Sequence, residues 1–442
     1  MTAVASETGT YRAAFEAATA RRKGREPGWV RALREQAFAR FEAQGFPTTR
    51  LEDWKYTSVA PIARTAFRHD GGGKAPAELA DVGADPGSPR VVFVDGRHAA
   101  SLSTGPLPEG VSVTSLAAAL ADNPGLLEGR IGAALGKDAG AFAHLNTALN
   151  EDGAFVSVAP GTVVEPALHL VFLASTSGSA PRASHPRAFV LAGRASELRL
   201  VETYAGPDGP YFTNAVTEIV LEDGAVVDHY KLQREGRSAF HVATMAVVQG
   251  RSSRFSSLSI AFGGGLVRND VNQLFDGEGG ECVLNGLFVA GGTQHMDTHT
   301  RIDHARPHCT SRELYKGVLD GSSRGVFVGR ILVRQDAQKT DALQTNKNLL
   351  LSKDALVQSV PQLEILADDV KCRHGSTTGQ LDPSALFYLR SRGIDEASAR
   401  DLLTYAFASD LVGRIQAGGV RDAVAAQLRG RLPGGVGDEV TS

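Results

Sequence analysis

Cys372 and His374 stand two residues apart in "DDVKCRHGSTTGQLD" (368–382). A soft thiolate beside an imidazole is a donor pair suited to zinc, copper or iron–sulfur chemistry. On a β-strand, residues i and i+2 share a face, which would put Arg373 on the other side. Two strand steps of roughly 3.3 Å separate their Cα atoms by about 6.6 Å. Two donors on one metal stand at most about 4.4 Å apart. The side chains must therefore lean together or serve different metal ions of one cluster. The thiolate and the neutral imidazole are the metal-competent forms. The competing reading is a half-buried cysteine beside a hydrogen-bonded histidine, since free cysteine is commonly a small buried hydrophobe.

A second constellation lies in "QHMDTHTRIDHARPHC" (294–309). His295, Asp297, His299, Arg301 and Asp303 alternate with Met296, Thr298, Thr300 and Ile302, so one strand face would be wholly polar. His304, His308 and Cys309 follow. Metal-ligand types are in excess, but no fixed zinc spacing such as H-E-x-x-H occurs. The competing reading is a solvated or hydrogen-bonded face, at a subunit contact where His and Asp pair. "EDWKYT" (52–57) reads as a local packing cluster of Trp54 and Tyr56. "GGGK" (71–74) lacks the phosphate-loop frame, "FGGGLVRND" does not fit G-x-G-x-x-G, and no G-x-S-x-G elbow is present. No motif for binding a nucleotide is found.

Cys282, Cys309 and Cys372 are the chain's 3 cysteines, and their spacing is no disulfide framework. Three are also too few for a site of four thiolates. A cluster held here must draw on histidines, carboxylates or a second chain. The 442 residues carry a net charge of -3, with 42% hydrophobic and 21% charged residues, as in an ordered soluble protein. That balance makes no case for binding nucleic acid or a membrane surface. No apolar run approaches the ~18–20 residues of a membrane span, and "MTAVASETGTYRAAFEAATARRKG" lacks a signal-peptide core. The expected location is the cytoplasm.

The elements that must position these residues fall into three parts. Residues 1–150 read as a mostly helical region. Apolar spacing (Trp29, Val30, Leu33, Phe38, Phe41) predicts helix between 10 and 45, stopped by Gly45 and Pro47. A mobile Gly/Pro-rich loop is expected at 71–89, a strand at 91–96, and partial helix over 114–150. From Gly153 the texture changes to short β-rich runs, each followed by a turn residue. Gly193, Gly224, Gly250, Gly277, Pro307, Asp336 and Asp369 recur about every 26–33 residues, the window of stacked repeats. This predicts a parallel β-helix over 151–378, one coil per repeat, with end coils that must be capped or paired. A β-sandwich is the alternative. Residues 379–442 are helical again: Asp382 caps a helix with Pro383 at its first position, Gly393 stops it, and Asp395 caps the next. Leu402, Leu403, Ala406, Phe407 and Leu411 form its apolar stripe, able to serve as a cap or a docking face.

"LEDWKYT", "SRELYKGVLDG", "GVFVGRILVRQDAQKTDALQTNKNLLLS", "PQLEILADDVKCRHGSTTGQLD" and "ALFYLRSRGI" together resemble the SufB/SufD family, scaffold subunits of the SUF iron–sulfur cluster assembly system. "LEDWKYT" and "CRHGSTTGQLD" look more like the SufD branch than the SufB branch. The resemblance is strongest from about Gly153 to Val412. It implies a mainly β fold, a right-handed parallel β-helix between helical regions. It implies a non-catalytic scaffold partnered by a SufB-like paralogue and a SufC-like ABC-type ATPase. The ATPase would dock on the C-terminal helices, with Leu386, Phe387, Tyr388, Leu402, Leu403 and Phe407 as contact residues. A transient iron–sulfur cluster would form at the SufB–SufD seam beside Cys372 and His374. Ser376 stands where the family commonly has Ala, a small change. A homodimer is plausible on the same β-helix. Two other readings compete. One is a β-helix metal-dependent hydrolase or polysaccharide lyase using His295, His299, His304 and His308. The other is a purely structural subunit whose thiol is inert.

Overall fold

Between Leu168 and Gly379 the chain alternates between two sheets, laying one strand in each per coil. Strands Leu168–Leu173, Glu197–Ala205, Val226–Arg234, Arg254–Ala261, Glu281–Ala290, Thr310–Leu319, Asp341–Leu350 and Lys371–Gly379 pair in that order into the first sheet. Arg187–Ala192, Phe212–Leu221, Phe240–Gln249, Leu266–Phe275, His295–His304, Arg324–Val333 and Leu356–Ile365 follow one another in the second. Every one of these pairings is parallel, which is a β-helix and not a β-sandwich. The structure, a computed structural model, describes residues 2–70, 73, 74, 83, 85, 87–175 and 180–431. Most of the loop expected at 71–89 lies outside the described residues, as does the stretch after 431.

The sequence repeat has a backbone cause. Ala195, Gly224, Ser252, Gly279, His308 and Lys339 all have positive φ, between 53° and 71°, one per coil. Each donates its N–H to a carbonyl of the next coil's turn, as in Gly224 to Arg251 and His308 to Gln338. The left-handed residue thus turns the chain while continuing the ladder. Glycine adopts it freely, and histidine more readily than most residues.

Alternation fixes the faces. Inward residues stack by register into columns such as Leu198, Val227, Phe255, Cys282, Ser311, Ala342 and Cys372. Apolar members of these columns form the main core. Outward residues are covered by helices on both flat faces. Helices α1 (Thr2–Arg22), α2 (Gly28–Gln44), α3 (Ala60–Arg64), α4 (Leu116–Asp122) and α5 (Ala141–Leu149) belong to the N-terminal part. Phe38 and Phe41 of α2 and Phe142 and Leu145 of α5 pack on Phe212 and Val242 of the second sheet. α2 ends at Gly45, whose φ is 65°.

Three helices follow the last strand: α6 (Pro383–Ser391), α7 (Glu396–Val412) and α8 (Gly418–Arg429). Asp382 and Asp395 cap α6 and α7 through Ser384 N and Ser398 N. α7 and α8 bury Ala408, Leu411, Val420, Val424 and Leu428 against Tyr230, Leu258, Ile260 and Leu287 of the first sheet. The buried face of α7 is Ala399, Asp401, Thr404, Ala408, Leu411 and Val412, so of the expected apolar stripe Leu411 alone is fully covered. Docking geometry, not hydrophobicity, selected that face: Leu402, Leu403 and Phe407 are half-buried and Ala406 is exposed.

The two ends of the solenoid differ. At the first end the sheets continue into antiparallel strands, Arg97–His98 on Arg90–Val94 and Val111–Ser115 on Gly153–Val158, which break the parallel ladder. At the last end, Leu356–Ile365 and Lys371–Gly379 each pair on one side, and among the described residues the other edge is open.

Candidate functional site

Cys372 and His374 lie on that open end. In the last strand Cys372 stacks on Ala342 and His374 on Gln344, so both face the interior column, with Arg373 directed outward. Cys372 is half-buried and packs with Ile331, Val333, Ala337 and Ala342. His374 is exposed because no further coil covers it. Desolvation pushes the Cys372 thiol pKa up and the Asp341 carboxylate adds to it, against a backbone N–H from Ala342. The resting group is therefore the thiol, and a metal or a nearby cation must draw off its proton. Ser376 Oγ donates to Ser359 Oγ at 2.8 Å, joining the two last strands. Leu343, Leu356, Ile365 and Leu366 around this end are 41%, 48%, 40% and 56% exposed, unlike apolar residues of earlier coils. Among the described residues, no three His, Cys, Asp or Glu side chains are placed to hold one metal ion.

Directly beneath His374 lies a polar column that the sequence alone did not single out. Glu313, Gln344 and His374 are successive in-register partners. Gln344 Nε2 donates to Glu313 Oε2 at 2.6 Å, and both side chains are buried. Burial raises the Glu313 pKa to about 7, offset in part by Gln344. Gly329 opposite makes room for the amide, since a Cβ there would stand 2.2 Å from Gln344 Nε2. The signal for this column was available only as a spacing of one coil between Glu313, Gln344 and His374.

The residues of the 294–309 stretch go to different places. His295, Asp297, His299, Arg301 and Asp303 face outward, and the Glu52–Thr57 segment covers part of that face. Thr57 Oγ1 donates to Asp297 Oδ2 at 2.6 Å and lies 2.8 Å from His295 Nε2. The buried Arg268 guanidinium joins Asp297 (2.7 Å), Asp270 (2.7 Å), His299 (2.9 Å) and the Asp53 carbonyl (2.9 Å), and stacks 4.2 Å over Trp54. Burial alone would raise the Asp297 pKa, but Arg268 and His299 hold it below the ordinary carboxylate range. Burial lowers the His295 pKa. "EDWKYT" is thus an inter-element lock rather than a local packing cluster. His304 points inward, 2.9 Å from Ser311 Oγ and beside Phe275, and burial pushes its pKa down to about 4. His308 is an exposed turn residue with φ of 62°. Cys309 is buried in the core, its pKa raised by desolvation. Parity already separates His295 and His299 from His304. The geometry does not favour a hydrolase that needs these histidines together.

On the C-terminal helices, Phe387 and Tyr388 of α6 are 73% and 57% exposed. Leu386 is half-buried, and α6 has no buried residue. Phe407 also serves the fold: Lys316 Nζ lies 4.8 Å over its ring and donates to its carbonyl and to Asp410.

Residues 172–407 match the SUF system FeS cluster assembly SufBD core domain, and residues 5–74 and 88–170 match the SufBD protein N-terminal region. The chain is 32% identical to the iron–sulfur cluster assembly protein SufD of Escherichia coli, over 88% of this chain and 90% of that protein. It is likewise 32% identical to a SufBD family protein of Synechocystis, over 87% and 86% of the two chains. With SufD of Bacillus subtilis the identity is 25%, over 90% and 93%.

Proposed function

The chain belongs to the SufBD family of the SUF iron–sulfur cluster assembly system, and from that premise we propose that it is a SufD-like scaffold subunit whose open solenoid end pairs with a SufB-like chain. The carrying observation is the position of Cys372 and His374: two soft donors on the inner face of an uncapped last coil, beside unpaired strand edges and exposed leucines. Two donors do not complete a cluster, so the remainder comes from the chain that covers this end. Strand edges supply backbone hydrogen bonds for such a pairing, and the apolar rim supplies burial.

In this reading the cluster is cargo, built at the seam and passed on. The chain's own residues bind and orient it: Cys372 once its proton has left, His374 as the neutral imidazole. The exposed Phe387 and Tyr388 on α6, with Leu386, Leu402, Leu403 and Phe407 nearby, form the docking face for a SufC-like ABC-type ATPase. Nucleotide-driven movement of that ATPase would strain the seam and alternately cover and expose Cys372 and His374. A second copy of this chain could occupy the same end in place of the SufB-like chain.

The test is co-purification with a SufB-like chain and a SufC-like ATPase, followed by iron and sulfide analysis. Cys372→Ala with His374→Ala should leave folding and ATPase binding intact and lower assembled cluster. Full assembly by that double variant would overturn the site assignment. An iron-loaded isolated chain, or a complex in which the open end stays uncovered, would overturn the seam.

A further inference from the structure

Resting on the reading of Cys372 and His374 as the site, the geometry points to Gln344, held by Glu313, as the positioning residue that fixes which ring nitrogen of His374 faces the seam. Gln344 lies one strand below His374 in the same inward column, so their side chains are nearest neighbours along the solenoid axis, about 4.8 Å apart at the backbone. Its amide orientation is set from below, because one Nε2 N–H is donated to Glu313 Oε2 at 2.6 Å. That leaves the carbonyl oxygen as the free end of the group. Gln344 Oε1 is buried and has no hydrogen-bond partner among the described residues. An orphaned buried acceptor costs about 1–3 kcal/mol unless a donor reaches it. Even if Glu313 carries a proton and offers it, an amide oxygen keeps a second lone pair.

The coil above presents one nitrogen donor side chain in this column, the imidazole of His374. With the end still open, that ring sits in register one strand above Gln344 and turns toward it through its side-chain torsions. A ring N–H donated to Oε1 then commits one nitrogen inward and leaves the lone pair of the other directed outward, where soft metal chemistry needs it. Histidine ligands commonly have their tautomer and orientation set by such a second partner. Gly329 supports the arrangement, because any side chain there would push the amide aside: its Cβ would stand 2.2 to 2.8 Å from the amide atoms of Gln344. Glu313 completes the stack and keeps the amide from turning over, which would point N–H groups at the ring and oppose metal-competent histidine.

The experiment reads the tautomer directly. Histidine-15N-labelled full-length chain, at a pH where His374 is neutral, gives the ratio of Nδ1–H to Nε2–H forms from long-range 1H–15N correlation. His374 is assigned from the spectrum of His374→Ala. One tautomer should dominate by about tenfold or more, as a hydrogen bond worth 1.4 kcal/mol requires. Gln344→Met should return the ratio toward that of free imidazole, and Gln344→Glu, which keeps an acceptor oxygen, should restore the bias. The paired Glu313→Met/Gln344→Met variant guards against misfolding, because replacing both partners by apolar groups of similar shape is nearly neutral. In the co-purified complex, Gln344→Met should weaken retained iron by about 10–100-fold. A free-imidazole ratio in the wild-type chain, or a ratio unmoved by Gln344→Met, overturns the inference. If cluster assembly still collapses in the Cys372→Ala/His374→Ala variant, the site reading survives that failure; if it does not collapse, the site reading itself falls, whatever the tautomer.

Discussion

Replacing Arg268 by methionine tests how the N-terminal segment is locked to the solenoid. Arg268 and Asp297 are 2% and 1% exposed, and their side chains meet at 2.7 Å. The substitution also removes the bonds to Asp270, His299 and the Asp53 carbonyl, and the stacking on Trp54. Asp297 would keep the Thr57 hydroxyl at 2.6 Å and the His299 ring at 3.1 Å but lose the Arg268 guanidinium. Breaking one partner of a buried pair costs about 3–5 kcal/mol. In the wild-type chain the folded pKa of Asp297 is depressed, so its contribution is present above the unfolded value of about 3.9 and lost only in stronger acid. In the variant, burial without Arg268 shifts the folded pKa of Asp297 upward from its wild-type value, against His299 and Thr57. The deficit is then full at pH 8 and shrinks as pH falls through the raised value. The assay is amide hydrogen exchange of Leu51–Thr57 and Leu266–Phe275. A local loss of 3 kcal/mol lowers protection by more than about 100-fold. Arg268→Met with Asp297→Leu should recover most of it, since removing both charges spares the orphan. A loss below about 1 kcal/mol, or one that the Asp297→Leu partner change fails to recover, would refute the account.

Glu313→Gln should stabilise the chain at pH 8 by on the order of 3 kcal/mol, because a folded pKa near 7 means the buried carboxylate opposes folding above its unfolded value of about 4.3. The wild-type chain should lose stability as pH rises from about 4.3 through 7, and denaturant titrations across that range should show the slope vanish in the variant. Phe387→Ala with Tyr388→Ala, both exposed, should change stability by less than about 0.5 kcal/mol while abolishing capture of the proposed SufC-like ATPase in a pull-down. With an alkylating reagent at pH 9, Cys372 should be modified in the native chain while the buried Cys282 and Cys309 resist until denaturant is added, as peptide mass spectrometry would report.

The coil repeat was legible because each coil needs one left-handed turn residue. Gly224 shows it openly, and Gly193, Gly250, Gly277 and Pro307 lie within two residues of the true positions at Ala195, Ser252, Gly279 and His308. The caps Asp382 and Asp395 were legible because capping is local chemistry. What covers each face was not. Trp54 meets Arg268 across more than two hundred residues, and nothing in "EDWKYT" names its partner. On α7 the hydrophobic stripe suggested one buried face, but Asp401 and Thr404 are buried while Leu402 is half-exposed. Thr404 can be buried because its hydroxyl donates to Arg400 O at 2.8 Å. Periodicity reports which residues could be buried; only the neighbouring surface decides which are.

Cys282 and Cys372 show what position in the stack does to one side-chain type. Both occupy the same inward column, separated by Ser311 and Ala342. Cys282 has coils above and below, is 1% exposed, and desolvation drives its pKa well above the ordinary thiol value. Such a thiol is inert packing. Cys372 has a coil below and none above, and for that reason alone its sulfur can be reached. A further β-helix seated on this end would extend the column by one more neighbour and push Cys372 toward the condition of Cys282. Covering therefore has opposite effects depending on what the covering surface brings. An apolar cover silences the thiol, whereas one that brings metal donors or a cation drains its proton and makes it a ligand. On the proposed reading the reactivity of Cys372 is a property of the seam, and a chain with so few cysteines would enter cluster chemistry only there.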